Sequence, residues 1–277
     1  MRLKLLLAYD GTGFSGWQIQ EKPQPPPTVQ GTLEAALARL AGVPVRVFGS
    51  GRTDAGVHAH GQVAHCDVPE RSGRGGRPGS AGRPGFDWRH GLNAVLPPSV
   101  RVLAAEAAPP NFDARRDAVS KTYVYQFWRE GRFVPPVLAP FVWACGPLDE
   151  GRMRAALPAF VGERDFASLR NAGSETRGSV RHIFAATLDA QPPQEFYPPH
   201  APLLRLTVTA NGFLKQMVRN MAGILAACGR GKLAPEAVPA LLAACERAAV
   251  PAPTAPPQGL ALARVDYGAE AAPSAGQ

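Results

Sequence analysis

Residues 48–68 read FGSGRTDAGVHAHGQVAHCDV. The run VPVRVFGS (43–50) has the β-branched and aromatic content of a strand, and glycines at 49, 51 and 56 break it. VHAHGQVAHCDV (57–68) then resumes with strand-like alternation. The stretch therefore predicts two strands joined by a tight, glycine-bracketed connection, with Asp54 at its centre. One arginine, one acid and three histidines fall between residues 52 and 65, and they suggest different chemistries.

Working outward, RLKLLLAYD places Leu3, Leu5, Leu7 and Tyr9 on one face of a strand, followed by the turn-rich DGTGFSG. After the proline-rich connector EKPQPPP, Val29, Leu33, Leu37 and Leu40 recur at helical spacing behind a Thr28 cap. The first half thus begins strand, helix, strand, strand. RSGRGGRPGSAGRPG (71–85) lacks apolar residues and predicts a mobile loop. FDWRHGLNAVLPPSV predicts a short helix ending at prolines, and VRVLAAEAAP predicts the last strand of the half.

The second half opens with AVSKTYVYQFW, whose Lys121, Tyr123, Tyr125 and Phe127 share one strand face. LDEGRMRAALPAFVGERDFASL predicts a helix, and VRHIFAATLDA and LLRLTVTANGFL predict strands. LKQMVRNMAGILAACG predicts a helix with Met217, Val218, Met221, Ile224 and Leu225 on its buried side and Gly229 as its stop. The fold class expected is α+β: two similar halves, each a mainly antiparallel sheet with helices packed on one side. The expected domains are 1–108 and 109–267, with a disordered tail over 268–277.

Composition narrows the partners. A chain of 277 residues with 45% hydrophobic content can bury two ordinary cores. No apolar run approaches the roughly 20 residues that span a bilayer, and the opening apolar stretch is too short for a signal peptide, so a cytoplasmic protein without a membrane partner is expected. Four scattered cysteines form no CxxC pair. The net charge of +8 favours a polyanionic partner such as nucleic acid, although an Ala-, Gly-, Pro- and Arg-rich composition can arise without one.

On a regular strand His58 and His60 point one way and His65 the other, so the three cannot close around one ion without a bulge. With no HExxH or CxxC in the chain, no metal is expected. Asp54 is the stronger candidate, because a tight connection can aim a short carboxylate into a cleft. The alternative is an Asx-turn, in which the carboxylate only accepts backbone N–H groups.

GSGRTDAGVHAHGQVAH resembles the signature of the tRNA pseudouridine synthase A family. AYDGTGFSGWQIQ, TVQGTLEAAL, FDARRDAVSKTYVY, DFASL, NGFLKQMVRNMAGIL and PTAPPQGLALARVDY resemble further blocks of that family, in the same order, from residue 8 to 267. Lys215 and Gln216 depart from it where aromatic or histidine residues are common, and the 71–85 loop is longer than usual. The resemblance implies isomerisation of uridine to pseudouridine at positions 38 to 40 of the tRNA anticodon stem-loop, in a catalytic cleft between the two halves. It implies no cofactor and no metal, a homodimer, and tRNA as partner.

By the same resemblance Asp54 is the catalytic nucleophile or a ribose-stabilising carboxylate, with attack on C1′, attack on C6 and proton removal all open to it; Arg219 of MVRN keeps it ionised, Tyr123 lies against the target base, and Arg52 helps extrude that base. From the residues alone, Arg219 reads as a helix-surface arginine and Tyr123 as sheet packing. Two rival readings remain: an inactive RNA-binding module of the same fold, and a zinc hydrolase built on His58 and His60.

Overall fold

The structure is a computed structural model that describes residues 1–69, 85–130, 133–173, 178–190 and 203–268. Its strands are β1 (Arg2–Tyr9), β2 (Val47–Gly49), β3 (His58–Asp67), β4 (Val100–Ala107), β5 (Ser120–Trp128), β6 (Trp143–Ala144), β7 (Gly162–Asp165), β8 (Val180–Ala190), β9 (Leu203–Ala210) and β10 (Leu260–Asp266). Its α-helices among the described residues are α1 (Val29–Ala41), α2 (Trp88–Val95), α3 (Glu150–Ala156), α4 (Met217–Gly229) and α5 (Val238–Ala243). β5 and β6 pair in parallel, whereas β1 with β3 and β4, β2 with β3, β9 with β5 and β8, and β7 with β8 are antiparallel. This is an α+β protein with mixed, mainly antiparallel sheet structure. None of these helices is long and apolar enough to cross a membrane. The loop 71–85, apart from Gly85, and the tail beyond Gly268 lie outside the described residues.

By its contacts the chain divides into two compact units, Met1–Val119 with Leu262 onward, and Ser120–Ala261. The sequence draws a single line at 108. In the first unit the strand order is β4-β1-β3-β10, with β2 also on β3. Leu3, Leu5, Leu7 and Tyr9 alternate inward along β1, each at most 4% exposed. Burying each of these leucines contributes about 2 kcal/mol. α1 starts at Thr28, whose hydroxyl accepts the Gly31 N–H (3.2 Å), and buries Val29, Leu33 and Leu37.

β3 is not a regular strand. Leu7 stands opposite Gln62 but Tyr9 stands opposite Ala59, so β3 passes three residues where β1 passes two. The bulge falls at His60 and Gly61, and a Cβ on Gly61 would meet the Ala263 carbonyl oxygen at 2.5 Å. The simple alternation that put His58 with His60 and opposite His65 therefore fails. His58 and His65 are buried, and His60 is exposed.

In the second unit the order is β5-β9-β8-β7, with β6 alongside β5. The long helix expected over 148–169 is broken into α3, a 3-10 turn at Leu157–Phe160 and the strand β7. Pro158 cannot continue an α-helix, and Gly162 takes φ 99° at the entry to β7. α4 is buried on nearly every side rather than along one stripe. It stops not at Gly229, which is still helical, but at Arg230 and Gly231, where φ is 71°.

Candidate functional site

Asp54 lies in the connection between β2 and β3. Its carbonyl accepts the Val57 N–H (3.1 Å), and Gly56 takes φ 75° at the third position of the turn. Arg52 is exposed, Thr53 buried and Asp54 half-buried, the pattern of an extended chain that turns Thr53 inward.

What fixes this turn is a buried polar scaffold. The Thr53 hydroxyl shares a 2.8 Å hydrogen bond with the Tyr9 phenol. Gln62, fully buried, donates through Nε2 to the Gly51 carbonyl (2.8 Å) and accepts from the Ser50 hydroxyl (2.7 Å). Burial pushes the Tyr9 phenol up to about 12, against the opposing pull of its hydrogen bonds to Thr53 and Gln62. Every heteroatom in this set has a partner, which is what makes a buried polar network rigid rather than costly.

The loop 10–17 clamps the turn from outside. Trp17 N–H donates to the Thr53 carbonyl (3.0 Å), and Gly56 N–H donates to the Phe14 carbonyl (3.3 Å). The approach is so close that a Cβ on Gly11 would stand 2.1 Å from the Val57 oxygen, and one on Gly16, at φ 92°, would stand 2.7 Å from the Thr53 oxygen. The sequence marks DGTGFSGW only as a turn-rich segment. Its role as the brace of Asp54, like that of Tyr9 and Gln62, emerges only when distant segments are brought together.

Two of the three histidines are absorbed by the fold. His58 Nδ1 accepts the Gly11 N–H (3.0 Å), and His65 Nδ1 accepts the Ala114 N–H (3.0 Å). His65 also stacks on Phe48 at 5.2 Å, and burial lowers its pKa, keeping it neutral near pH 7. Among the described residues no group of three His, Cys, Asp or Glu side chains is placed to hold a metal ion. A cavity of about 420 Å³ in this unit is lined by Lys4, Leu6, Val63 and Tyr267 among others, and by none of the four candidate residues.

In the second unit Tyr123 sits on β5 opposite Val208 of β9, 8% exposed, with its ring edge-on to Phe213 at 4.9 Å. Arg219 is half-buried in the first turn of α4. Its Nε donates to the Ala255 carbonyl (2.7 Å), and its own carbonyl accepts the Ala255 N–H (3.1 Å). The side chain is thus tethered to the 253–256 segment. That segment is seated on α4 by a contact only glycine permits, since a Cβ on Gly223 would lie 2.0 Å from the Pro253 oxygen. The Tyr125 hydroxyl donates to the Pro256 carbonyl (2.8 Å) from the β5 side.

Asn220, 1% exposed, locks the same region. It donates to the Leu169 carbonyl (2.8 Å) and to Asn171 Oδ1 (2.9 Å), and accepts from the Thr254 hydroxyl (2.7 Å). Arg247 adds bonds to Asn171 Oδ1 (3.1 Å) and the Ala252 carbonyl (3.0 Å). Gln216, one of the departures noted in the sequence, takes φ 61° at the start of α4 and accepts a hydrogen bond from Asn171 Nδ2. Lys215, the other, donates to the Ala172 carbonyl (2.8 Å).

A family model described as tRNA pseudouridine synthase matches residues 6–116 and 156–268. The tRNA pseudouridine synthase A of Nitratidesulfovibrio vulgaris (strain DSM 19637 / Miyazaki F) is 46% identical, covering 96% of this chain and 99% of the relative. Those of Lawsonia intracellularis and Geobacter sulfurreducens are 45% and 41% identical, each covering 96% of this chain and 99% of the relative. With most of its length matched and a braced GRTDAG turn among the matched residues, the chain belongs to the tRNA pseudouridine synthase A family.

Proposed function

We propose that the protein isomerises uridine to pseudouridine at positions 38 to 40 of the tRNA anticodon stem-loop, with Asp54 as the catalytic nucleophile. The C1′–N1 bond breaks, the uracil turns, and a C1′–C5 bond forms; C5 loses its proton and N1 ends protonated. Atoms and charge are conserved, so the reaction needs no redox partner and no energy source. A carboxylate that forms a covalent intermediate splits this difficult exchange into easier steps.

The other three residues serve the same uridine. Arg52 helps draw the base from its stack, a step that costs a few kcal/mol in a paired stem. Tyr123 stacks against the extruded base, and its phenol takes part in moving the C5 proton. Arg219 supplies positive charge for the reaction, its guanidinium fork matching a carboxylate. The enzyme works as a homodimer.

The observation that supports this assignment is the bracing of the Asp54 turn: the residue before Asp54 is anchored in a buried network while Arg52 stays exposed. Preorganisation of that kind serves a reacting group better than it serves a surface turn. The experiment is incubation of unmodified tRNA transcript with wild type and with Asp54→Asn, reading pseudouridine by carbodiimide labelling and primer extension. Stops at the anticodon-stem uridines with wild type and none with the variant are expected. A folded wild type that binds the transcript without producing stops would overturn the assignment in favour of an inactive RNA-binding module. The mass of the native protein by light scattering, expected at twice the chain's 29.3 kDa, tests the dimer.

A further inference from the structure

Three arginines of the second unit gather where nothing in the fold calls for them. Arg164 of β7 and Arg181 of β8 are direct register partners, a like-charge pair across an antiparallel ladder. Such a pair is destabilising. Arg170, just past the 3-10 turn Ala167–Leu169, is close enough to Arg181 to repel it; burial first and this repulsion second lower the Arg181 pKa.

Among the described residues no acid is seen to offset them. Among the described residues none of the three takes part in an ion pair; Arg164 Nε and Arg181 Nη1 donate to the carbonyls of Val161 (3.4 Å) and Val180 (2.5 Å). Glu163 and Asp165 flank Arg164 on β7, but alternation turns them to the opposite face, and Asp165 accepts the Ala167 N–H (2.8 Å).

The position is as telling as the charge. Lys121 pairs with Ala210 and Ala210 with Ile183, so these three share the sheet face that carries Tyr123. Arg181, two residues before Ile183, returns to that same face, with Arg164 beside it. Gly212 lies against the Arg181 guanidinium, a Cβ there being 3.5 Å from Nε, and its neighbour Phe213 is the ring edge-on to Tyr123. Strand spacing and rise put Arg181 roughly 15–20 Å from Tyr123 along the face, a reach of a few nucleotides.

We propose that Arg164, Arg170 and Arg181 form a phosphate-binding ledge that takes the RNA backbone a few nucleotides from the uridine at Tyr123. This rests on the function proposed above and adds to it a place where the backbone is held. Guanidinium groups bind phosphate oxygens bidentately, and an anion bridging the three relieves their mutual repulsion. The fold tolerates the like-charge pair because the ligand neutralises it.

The test is the salt dependence of binding, read without turnover on an anticodon stem-loop transcript whose target uridines are replaced by cytidine. Wild type, the double variant Arg164→Gln/Arg181→Gln, and Arg39→Gln as a control for the loss of an exposed charge elsewhere are titrated from low to moderate salt. Each lost phosphate contact lowers the slope of log K against log salt by about 1. The double variant is therefore expected to lose about 2 from that slope, and Arg181→Lys to retain most of it. A double variant with the slope and affinity of the Arg39→Gln control would overturn the ledge. If the double variant melts early, the exposed Arg164→Gln alone decides, by a loss of about 1 or none. A wild type that binds but makes no pseudouridine on the uridine transcript would sink the proposed reaction and leave the slope comparison standing.

Discussion

The phenol of Tyr9 and the hydroxyl of Thr53 meet at 2.8 Å beneath the turn that carries Asp54, both buried. Thr53 is the residue before Asp54, so this bond fixes the backbone from which the carboxylate projects. Tyr9→Phe keeps the ring and removes the bond. A buried bond lost from one side costs about 1–2 kcal/mol, to be read by urea unfolding. Pseudouridine formation at saturating tRNA is expected to fall about tenfold, while KM moves little, because the loss lies in positioning rather than in binding. A fall confined to KM would remove the positioning role.

Alkaline pH tests the same phenol. The folded pKa of Tyr9 is raised to about 12 from an ordinary value of 10.0, so the native state holds the proton more tightly than the unfolded chain. Its contribution is fully present below pH 10 and is lost as pH rises toward 12. Cys66, also pushed up to about 12 by burial from 9.0, acts in the same direction from pH 9 upward. Thermal melts across pH 8 to 11.5 are expected to show falling stability, with a shallower fall in Tyr9→Phe. A profile identical in the variant would deny Tyr9 its share.

Gly223→Ala is expected to be severe. Its Cβ would press on the Pro253 oxygen from 2.0 Å, and neither helix α4 nor the proline segment has a flexible end to yield. Overpacking of this kind costs about 1–3 kcal/mol. Since the displaced segment carries Ala255, the partner of Arg219, activity is expected to fall further than stability alone explains. Melting temperature and turnover, measured together, separate the two.

Asn220→Ala strips partners from the Leu169 carbonyl, Asn171 and Thr254 at once. The expected destabilisation is about 3 kcal/mol, seen as a lower urea midpoint with unchanged slope. A midpoint like that of wild type would show that water replaces the lost bonds.

Dialysis against EDTA is expected to leave turnover unchanged, and His60→Ala to behave as wild type. His58 and His65 already accept backbone N–H groups through Nδ1 and stand seven residues apart along β3. Activity lost to the chelator and restored by zinc would return the histidines to the chemistry.

Much of the architecture was legible because burial follows simple periods. Leu3, Leu5, Leu7 and Tyr9 mark a strand, and Thr28 with Val29, Leu33 and Leu37 marks a capped helix, from local pattern alone. Asp54 stood out because glycines bracket it. The misreadings have physical causes. Residues 148–169 satisfy a helical period, but Pro158 and Gly162 override it with backbone constraints. Gly229 reads as a helix stop, yet the chain remains helical there and turns at Gly231. What no local pattern could give is the set of long-range bonds. Gln62 to Gly51, Trp17 to Thr53 and Asn220 to Thr254 join segments that carry no mutual mark in the sequence.

The irregularity in β3 sets an odd-even count for the whole first unit. Downstream of Gly61 one set of positions faces the core, and upstream the set is reversed, so the chain reaches the Asp54 turn with Thr53 pointing in. Deleting a single residue at His60 or Gly61 would keep the pairing of β3 with Leu3, Leu5 and Leu7 while inverting the upstream side chains, sending Thr53 toward solvent. Length variation among members of this family is therefore expected to spare residues 54–62 and to fall instead where no strand must be counted through. The spacing between Asp54 and the bulge is thus one of the conditions on which the role proposed for Asp54 depends.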